Sequence, residues 1–419
     1  MKKRIVISVT LLIALLAMGV FLAACGGGGS STTTLAATTT LAPTTTLPPA
    51  TGGTIKIGHI RPMSGVMATT SDRMLKAFDF AFEQVGYQVA NKNIEIIIGD
   101  SKGDPAAAVE VARKMVEQDH VAMIVGPTQG GEEMGVAWYC SQVGIPVLFT
   151  NPAPVDATGP GFPMAVLGYG SEPMYSTCMA DYAYKTLGYR TIDALAGDFT
   201  PGHGFLGAFE ATFKKLGGTV AQEIYTPYPS QDFSSYLTSL KPADALVAWI
   251  DGQQAIQLLT QYVQLGVDKR LPLVGAFHGS FLAPFILSAL PTDVADALVG
   301  DVVPVPYSPL LDNAANTKFV ADFKAKFGIL PEDMDSGPYV GAQIILHALE
   351  ATNGDTTPAT LLAALTAVNF EGPEGLISFD PATRCAVKTI YIAKVAKQDD
   401  GAFVWDPIYT YTDVPAAGL

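Results

Sequence analysis

The sequence predicts an α/β protein of two lobes, each a doubly wound parallel sheet, and three observations carry that prediction. One phrase recurs along the chain: an amphipathic helical run ends in glycine, and a short β-rich run follows. Those β-rich runs are mostly apolar, as strands covered on both faces by helices are. A long Gly/Pro-rich stretch then interrupts the cadence, which restarts and divides the elements into two series.

In chain order, "MKKRIVISVTLLIALLAMGVFLAAC" sets Lys2, Lys3 and Arg4 ahead of an apolar run that closes on small residues. This is the layout of a secretory leader over 1–24. The run is also long enough to span a membrane as an uncleaved anchor. Leu22-Ala23-Ala24-Cys25 resembles a bacterial lipobox, where the leader is cut before a cysteine that carries lipid, so Cys25 is the expected lipidation site. Either reading exports the remainder. Residues 25–53 are almost wholly Gly, Thr, Ala and Pro without charge, a disordered tether.

Strands are then expected at 54–60, 94–100, 121–126 and 146–150. Between them "DPAAAVEVARKMVEQD" reads as a helix, with Asp104 as N-cap, Pro105 at the first helical position, and one stripe of Ala108, Val111, Ala112, Met115 and Val116. Gly86, Gly144, Gly188, Gly217 and Gly266 each stand where a helix ends on a left-handed residue. The interruption is "TNPAPVDATGPGFPMAVLGYGSEP", too long for a tight turn. Strands at 191–197, 219–225, 245–250 and 271–277 make the second series. After the extended "DVVPVPYSP" come two helical patterns, "NTKFVADFKAKFG" and "GPYVGAQIILHALEATNG". Repeated crossings between similar halves permit hinge closure around a ligand.

Composition narrows the function. Hydrophobic residues are 49% and charged ones 15%, with a formal charge of −14, which disfavours nucleic acid. No Lys/Arg-rich block is present to grip an anionic membrane. Cys140, Cys178 and Cys385 allow at most one disulfide, or three free buried thiols. No Cys-x-x-Cys or His pair at i, i+4 occurs, so neither a metal nor a cofactor is expected. No nucleophile and base stand at catalytic spacing, and the acidic pair Glu132-Glu133 falls at a helix start, where it suits the dipole, so the chain is not read as an enzyme.

Ligands of open α/β sheets lie beyond the C-terminal ends of strands. The loops there offer Ser64 and Met67, then Thr128, Gln129 and Gly130, then Asn151 and Ala153 in the first series. The second series offers His203, Asp251, Phe277 and His278. Asp251 equally suits a helix cap, Ser64 a turn, and His203 an exposed surface. Gly202, Gly204 and Gly207 form a Gly-x-Gly-x-x-Gly with Glu223 downstream. A dinucleotide site needs those glycines in the first tight turn after a strand, yet Asp198, Phe199, Thr200 and Pro201 intervene. The segment 198–204 is therefore expected to be a ligand-facing loop.

The segments "TIKIGHIRPMSG", "DPAAAVEVARKMVEQDHVAMIVGP", "CSQVGIPVLFTNPAP", "GHGFLGAFEATFKKLGGTV" and "YVGAQIILHALEATNGDTTPATLLAAL" together resemble the leucine/isoleucine/valine-binding family of type I periplasmic binding proteins. The resemblance implies two lobes joined by three crossover strands, the first of 54–167 and 309–376, the second of 170–303 and 381–412. The latter would hold both Cys178 and Cys385, which ranks that pair first. It further implies a monomeric extracytoplasmic receptor that binds a small organic solute between the lobes and docks the membrane permease of an ATP-driven ABC importer. A sensing or ligand-presenting receptor of the same fold is the alternative. The family's carboxylate-binding serine and threonine fall on Gly130 and Pro154, and the tyrosine and glutamate that hold an ammonium fall on Pro201 and His278. Loss of that counter-charge points to an organic acid or another solute that is not an α-amino acid, unless Asp251 replaces it.

Overall fold

The computed structural model describes residues 50–64, 67–277 and 281–419. Strand β1 (Thr54–Arg61) leads into α1 (Ala68–Gln84), a short β2 (Gln88–Val89), β3 (Lys92–Asp100), α2 (Pro105–Lys114), β4 (Met123–Val125), α3 (Gly130–Val143), β5 (Val147–Phe149) and β6 (Ala165–Leu167). The second series runs α4 (Glu172–Lys185), β7 (Thr191–Gly197), α5 (Thr200–Lys215), β8 (Thr219–Thr226), α6 (Ser234–Thr238), β9 (Ala245–Trp249), α7 (Gln253–Gln264), β10 (Leu273–Gly275), α8 (Pro284–Ala289), α9 (Thr292–Ala297) and β11 (Val302–Val305). Then follow α10 (Ala314–Phe327), α11 (Asp333–Ala351), α12 (Pro358–Thr366), β12 (Phe370–Gly372), β13 (Gly375–Asp380), β14 (Cys385–Lys397) and β15 (Phe403–Val414).

Strands β3-β1-β4-β5-β6 pair in parallel, as do β8-β7-β9-β10-β11. Strand β14 joins the two halves: Cys385 at its start meets Leu167 of β6, and its later residues run antiparallel to β11 from Val302↔Lys394 to Val305↔Tyr391. The chain thus passes between the sheets after β6, after β11 and along β14, giving the two doubly wound lobes that the sequence pattern predicts with the three crossings that the family resemblance implies.

Local chemistry explains the elements. Asp104 caps α2 by accepting from Ala107 N at 2.7 Å, with Pro105 following it. The five helix-ending glycines all have positive φ, from 60° at Gly86 to 103° at Gly217, a region that penalises any Cβ. Helix α2 is shorter than its apolar stripe predicts, because its last turn, Met115–Asp119, widens to a π-type turn closed by His120 at φ 57°. One core packs α1, α10, α11 and α12 on the outer face of the first sheet. A second is continuous from the α2–α3 face through the helices around the second sheet. Cys140, Cys178 and Cys385 are free thiols buried in that second core.

Candidate functional site

The strand ends and helix starts of both lobes converge on one cavity of about 90 Å³. From the first lobe come Met67, Thr70 and Met74 of the β1–α1 connection and helix, Thr128, Gln129 and Gly130 after β4, and Thr150, Asn151 and Pro152 after β5. Tyr169 and Glu172 follow β6, and Asp333, Met334 and Pro338 begin α11. The second lobe supplies Phe199, Pro201 and Phe205, then Trp249 and Asp251, then Phe277.

Of the residues expected from sequence, Met67, Thr128, Gln129, Gly130, Asn151, Asp251 and Phe277 line this cavity together. Asp251 does not cap α7, whose N-cap is Gly252. Three other expected residues stand off the cavity wall. Ser64 is exposed and its hydroxyl binds the Asp100 carboxylate, holding the turn after β1. Ala153 is fully buried in a bridge to Ser171. His203 pairs with Asp198 Oδ1 at 2.8 Å and stacks on Tyr225 with centroids 4.0 Å apart. His278 and Cys25 lie outside the described residues. The glycine motif is corrected: α5 starts at Thr200, so Gly202, Gly204 and Gly207 lie in a helix rather than a loop. A Cβ at Gly202 would overlap Gly197 O, and one at Gly204 would overlap Glu172 Oε2. These glycines allow close approach of backbone and helix, which outweighs their poor helix propensity.

The second-lobe wall is aromatic. Phe205 and Phe277 stack at 4.0 Å with planes 2° apart, while Phe199 lies 5.5 Å from Trp249 and 4.0 Å from Tyr228. Such a wall offers flat apolar faces with few rotamers to immobilise.

The first-lobe wall is polar, and a buried charge lies behind it. Arg61, fully buried at the end of β1, donates from Nε to His59 Nε2 at 2.7 Å, from Nη1 to Met74 Sδ at 3.2 Å and from Nη2 to Thr150 Oγ1 at 3.0 Å. Among the described residues it forms no ion pair, and Glu133 is the carboxyl whose charge acts on it. Burial and the Arg61 charge push His59 well below its ordinary value, so the ring accepts that bond as neutral imidazole. Glu133 is raised well above the carboxylate range by burial, with the Glu172 and Glu132 carboxyls adding to the rise and Arg61 opposing it. Glu172 is pushed up to about 8 by burial. Helix α3 begins at the cavity without a capping side chain, so its first-turn N–H groups and dipole favour an anion. Thr128 Oγ1, Asn151 Oδ1 and Trp249 Nε1 are buried without a hydrogen-bond partner among the described residues, and all three residues line the cavity. Unsatisfied polar atoms of this kind mark where a ligand completes the bonding.

Tyr169, Glu172, Phe205, Trp249 and Asp333 escape the loop-by-loop sequence reading, as does Arg61 behind the wall, whereas Phe199 and Pro201 of the expected segment 198–204 do line the cavity. Trp249 had a usable signal, as the last residue of an apolar strand followed by a polar loop. Among the described residues no helix is long and apolar enough to cross a membrane, and no cluster of His, Cys, Asp and Glu suits a metal.

Residues 54–402 match the periplasmic binding protein family. A Leu/Ile/Val-binding protein homolog 6 of Brucella melitensis is 26% identical over 372 residues, covering 87% of this chain and 93% of its own. The structure of an ABC transporter substrate-binding protein from Sphaerobacter thermophilus superposes with a TM-score of 0.80 at 32% identity, over 86% of this chain and 98% of that one. A solute-binding protein of an ABC transporter from Rhodopseudomonas palustris BisB5, in complex with 3,4-dihydroxybenzoic acid, gives 0.80 at 29% identity, over 87% and 98%.

Proposed function

The chain belongs to the periplasmic binding protein family and is an extracytoplasmic solute-binding receptor of an ABC importer, and on that premise we propose that its solute is a small flat carboxylate, of the aromatic-acid kind. The observation that carries this reading is Arg61, a buried cation that forms no ion pair among the described residues and is bonded to two residues of the cavity wall, Met74 and Thr150. A buried unpaired charge costs several kcal/mol, and a ligand carboxylate at the α3 N-terminus offsets part of that cost. The stacked Phe205–Phe277 and Phe199–Trp249 rings suit a planar body. The dihydroxybenzoate-bound relative supports the same class.

The residue ranges 54–167 with 309–376 and 170–303 with 381–412 act as two bodies that close on the solute, a change any ligand touching both would bias. Lipid on Cys25 tethers this receptor, as a monomer, beside its permease, and binding and hand-over of the solute are its work, without catalysis. A second reading, an α-amino acid, is favoured by Asp251 and Asp333 in the cavity wall, which would suit an ammonium. A thermal-shift panel of benzoate, hydroxybenzoates, aliphatic carboxylates and branched-chain amino acids separates the two. Selective stabilisation by benzoates, lost in Arg61→Met, is the expected result. Selective stabilisation by leucine or valine, lost in Asp251→Asn, overturns the carboxylate reading.

A further inference from the structure

Resting on the carboxylate reading above, we propose that Glu172 is the specificity-determining acid of the cavity: it stays protonated, donates its O–H to the bound carboxylate, and links solute binding to a proton. Glu172 opens α4 immediately after the β6 crossing and is 6% exposed while still lining the cavity. Among the described residues its carboxyl accepts no hydrogen bond and has no ion pair. Its seat is built, because Gly204 of α5 has no side chain at the point where Glu172 Oε2 lies. Any other residue at 204 would displace the carboxyl, which gives the glycine spacing in α5 a role that dinucleotide binding does not.

A neutral acid is the form this seat favours. The titratable and charged groups on the surrounding elements include Glu132 and Glu133 of α3, Arg61 of β1, Asp333 of α11, Asp251 after β9, His203 of α5, and Lys388 of β14, which is itself paired with Glu374, while Glu210 and Lys214 of α5 pair with each other and Asp335 of α11 pairs with Arg73. The Glu172 carboxyl adds to the rise of Glu133, the Arg61 charge acts on Glu133, and Lys388 is engaged by Glu374. Burial leaves the acid form in place at neutral pH, in agreement with its raised value. A protonated carboxyl can donate to a carboxylate, whereas an ionised one would repel it. The proton stays on Glu172 in the complex. Above the midpoint of the free protein, where Glu172 is ionised, binding an anion takes that proton from the buffer.

The test uses the mature protein and benzoate, which has no second group titrating between pH 6.5 and 9. Affinity by titration calorimetry should be flat to about pH 7.5 and then weaken toward a limit of about tenfold per pH unit. At pH 8.5, paired measurements in phosphate and Tris should show most of one proton taken up per benzoate bound. Glu172→Gln keeps an uncharged donor of the same shape, so whatever its affinity at pH 7 it should lose the slope between pH 7.5 and 8.5 and the proton uptake at pH 8.5. Asp251→Asn and Asp333→Asn should keep both. Tight benzoate binding with no proton uptake at pH 8.5, or a slope that survives in Glu172→Gln, overturns the proton link and leaves the carboxylate receptor standing. Proton release on binding overturns it also, since that is the sign an ammonium-bearing solute would give. Failure of benzoate and every other carboxylate to bind overturns both readings.

Discussion

Lys388 and Glu374 form an ion pair with side chains 2% and 1% exposed, placed where β14 leaves the first sheet for the second. Ser336 Oγ donates to the other carboxylate oxygen at 2.8 Å, and the ammonium lies 4.8 Å from the centre of the Tyr169 ring, which lines the cavity. Lys388→Met removes the cation and leaves Glu374 buried with only the serine, a loss of about 3–5 kcal/mol by the usual cost of breaking a buried pair. For a folded body of this size, with unfolding entropy near 2 cal/mol/K per residue, that corresponds to a melting shift of about 5 °C. The double variant Lys388→Met/Glu374→Gln should recover most of it, because the amide keeps the Ser336 bond and no charge remains to be solvated. Differential scanning fluorimetry, checked by urea unfolding, reads both shifts. A Lys388→Met protein as stable as wild type, or a double variant no more stable than the single one, would refute the reasoning.

Two further outcomes are expected. Burial holds Glu172 at about 8 and Glu332 at about 7, so each carries a proton in the folded state over a range where the unfolded chain has lost it. The stability they contribute is complete below the ordinary carboxylate range and is lost as pH rises through 7 and 8. The melting temperature should therefore be several degrees higher at pH 5.5 than at pH 8.5, with the gap narrowed in Glu172→Gln, and the opposite order would contradict the assignment. Cys25→Ser should move the protein from the membrane fraction to the soluble exported fraction, and retention with normal lipid labelling would count against lipidation at that residue.

The periodic part of the fold was legible because its causes are local. A helix that ends on a left-handed glycine, or starts on Asp104-Pro105, announces itself within four residues. Strand β6 did not, since three residues after "GPGFPM" give no pattern, and its place beside β5 and β14 is set by pairing at a distance. The site divides in the same way. Thr128, Gln129, Asn151 and Asp251 follow predicted strands and were found by position alone. Arg61 reads as a polar strand end, and its burial depends on Met74 and Thr150, the latter brought alongside by β4 and β5. Glu172 reads as an acid suited to a helix dipole until α5 is packed against it.

The Gly-x-Gly-x-x-Gly shows why the same residues support opposite conclusions at the two levels. Glycine spacing encodes that something comes close to a helix, and it does not encode what. In a dinucleotide fold the approaching group is a pyrophosphate at an open helix N-terminus, which requires the glycines to sit in the turn before it. Here Thr200 and Pro201 start the helix first, so the glycines are carried into its first two turns, where one admits the Gly197 carbonyl and another the Glu172 carboxyl. An acid seated there excludes phosphate by charge when ionised and accommodates a carboxylate when neutral. The offset of a few residues between strand end and glycines therefore separates a site for a nucleotide from a seat for a proton-bearing acid.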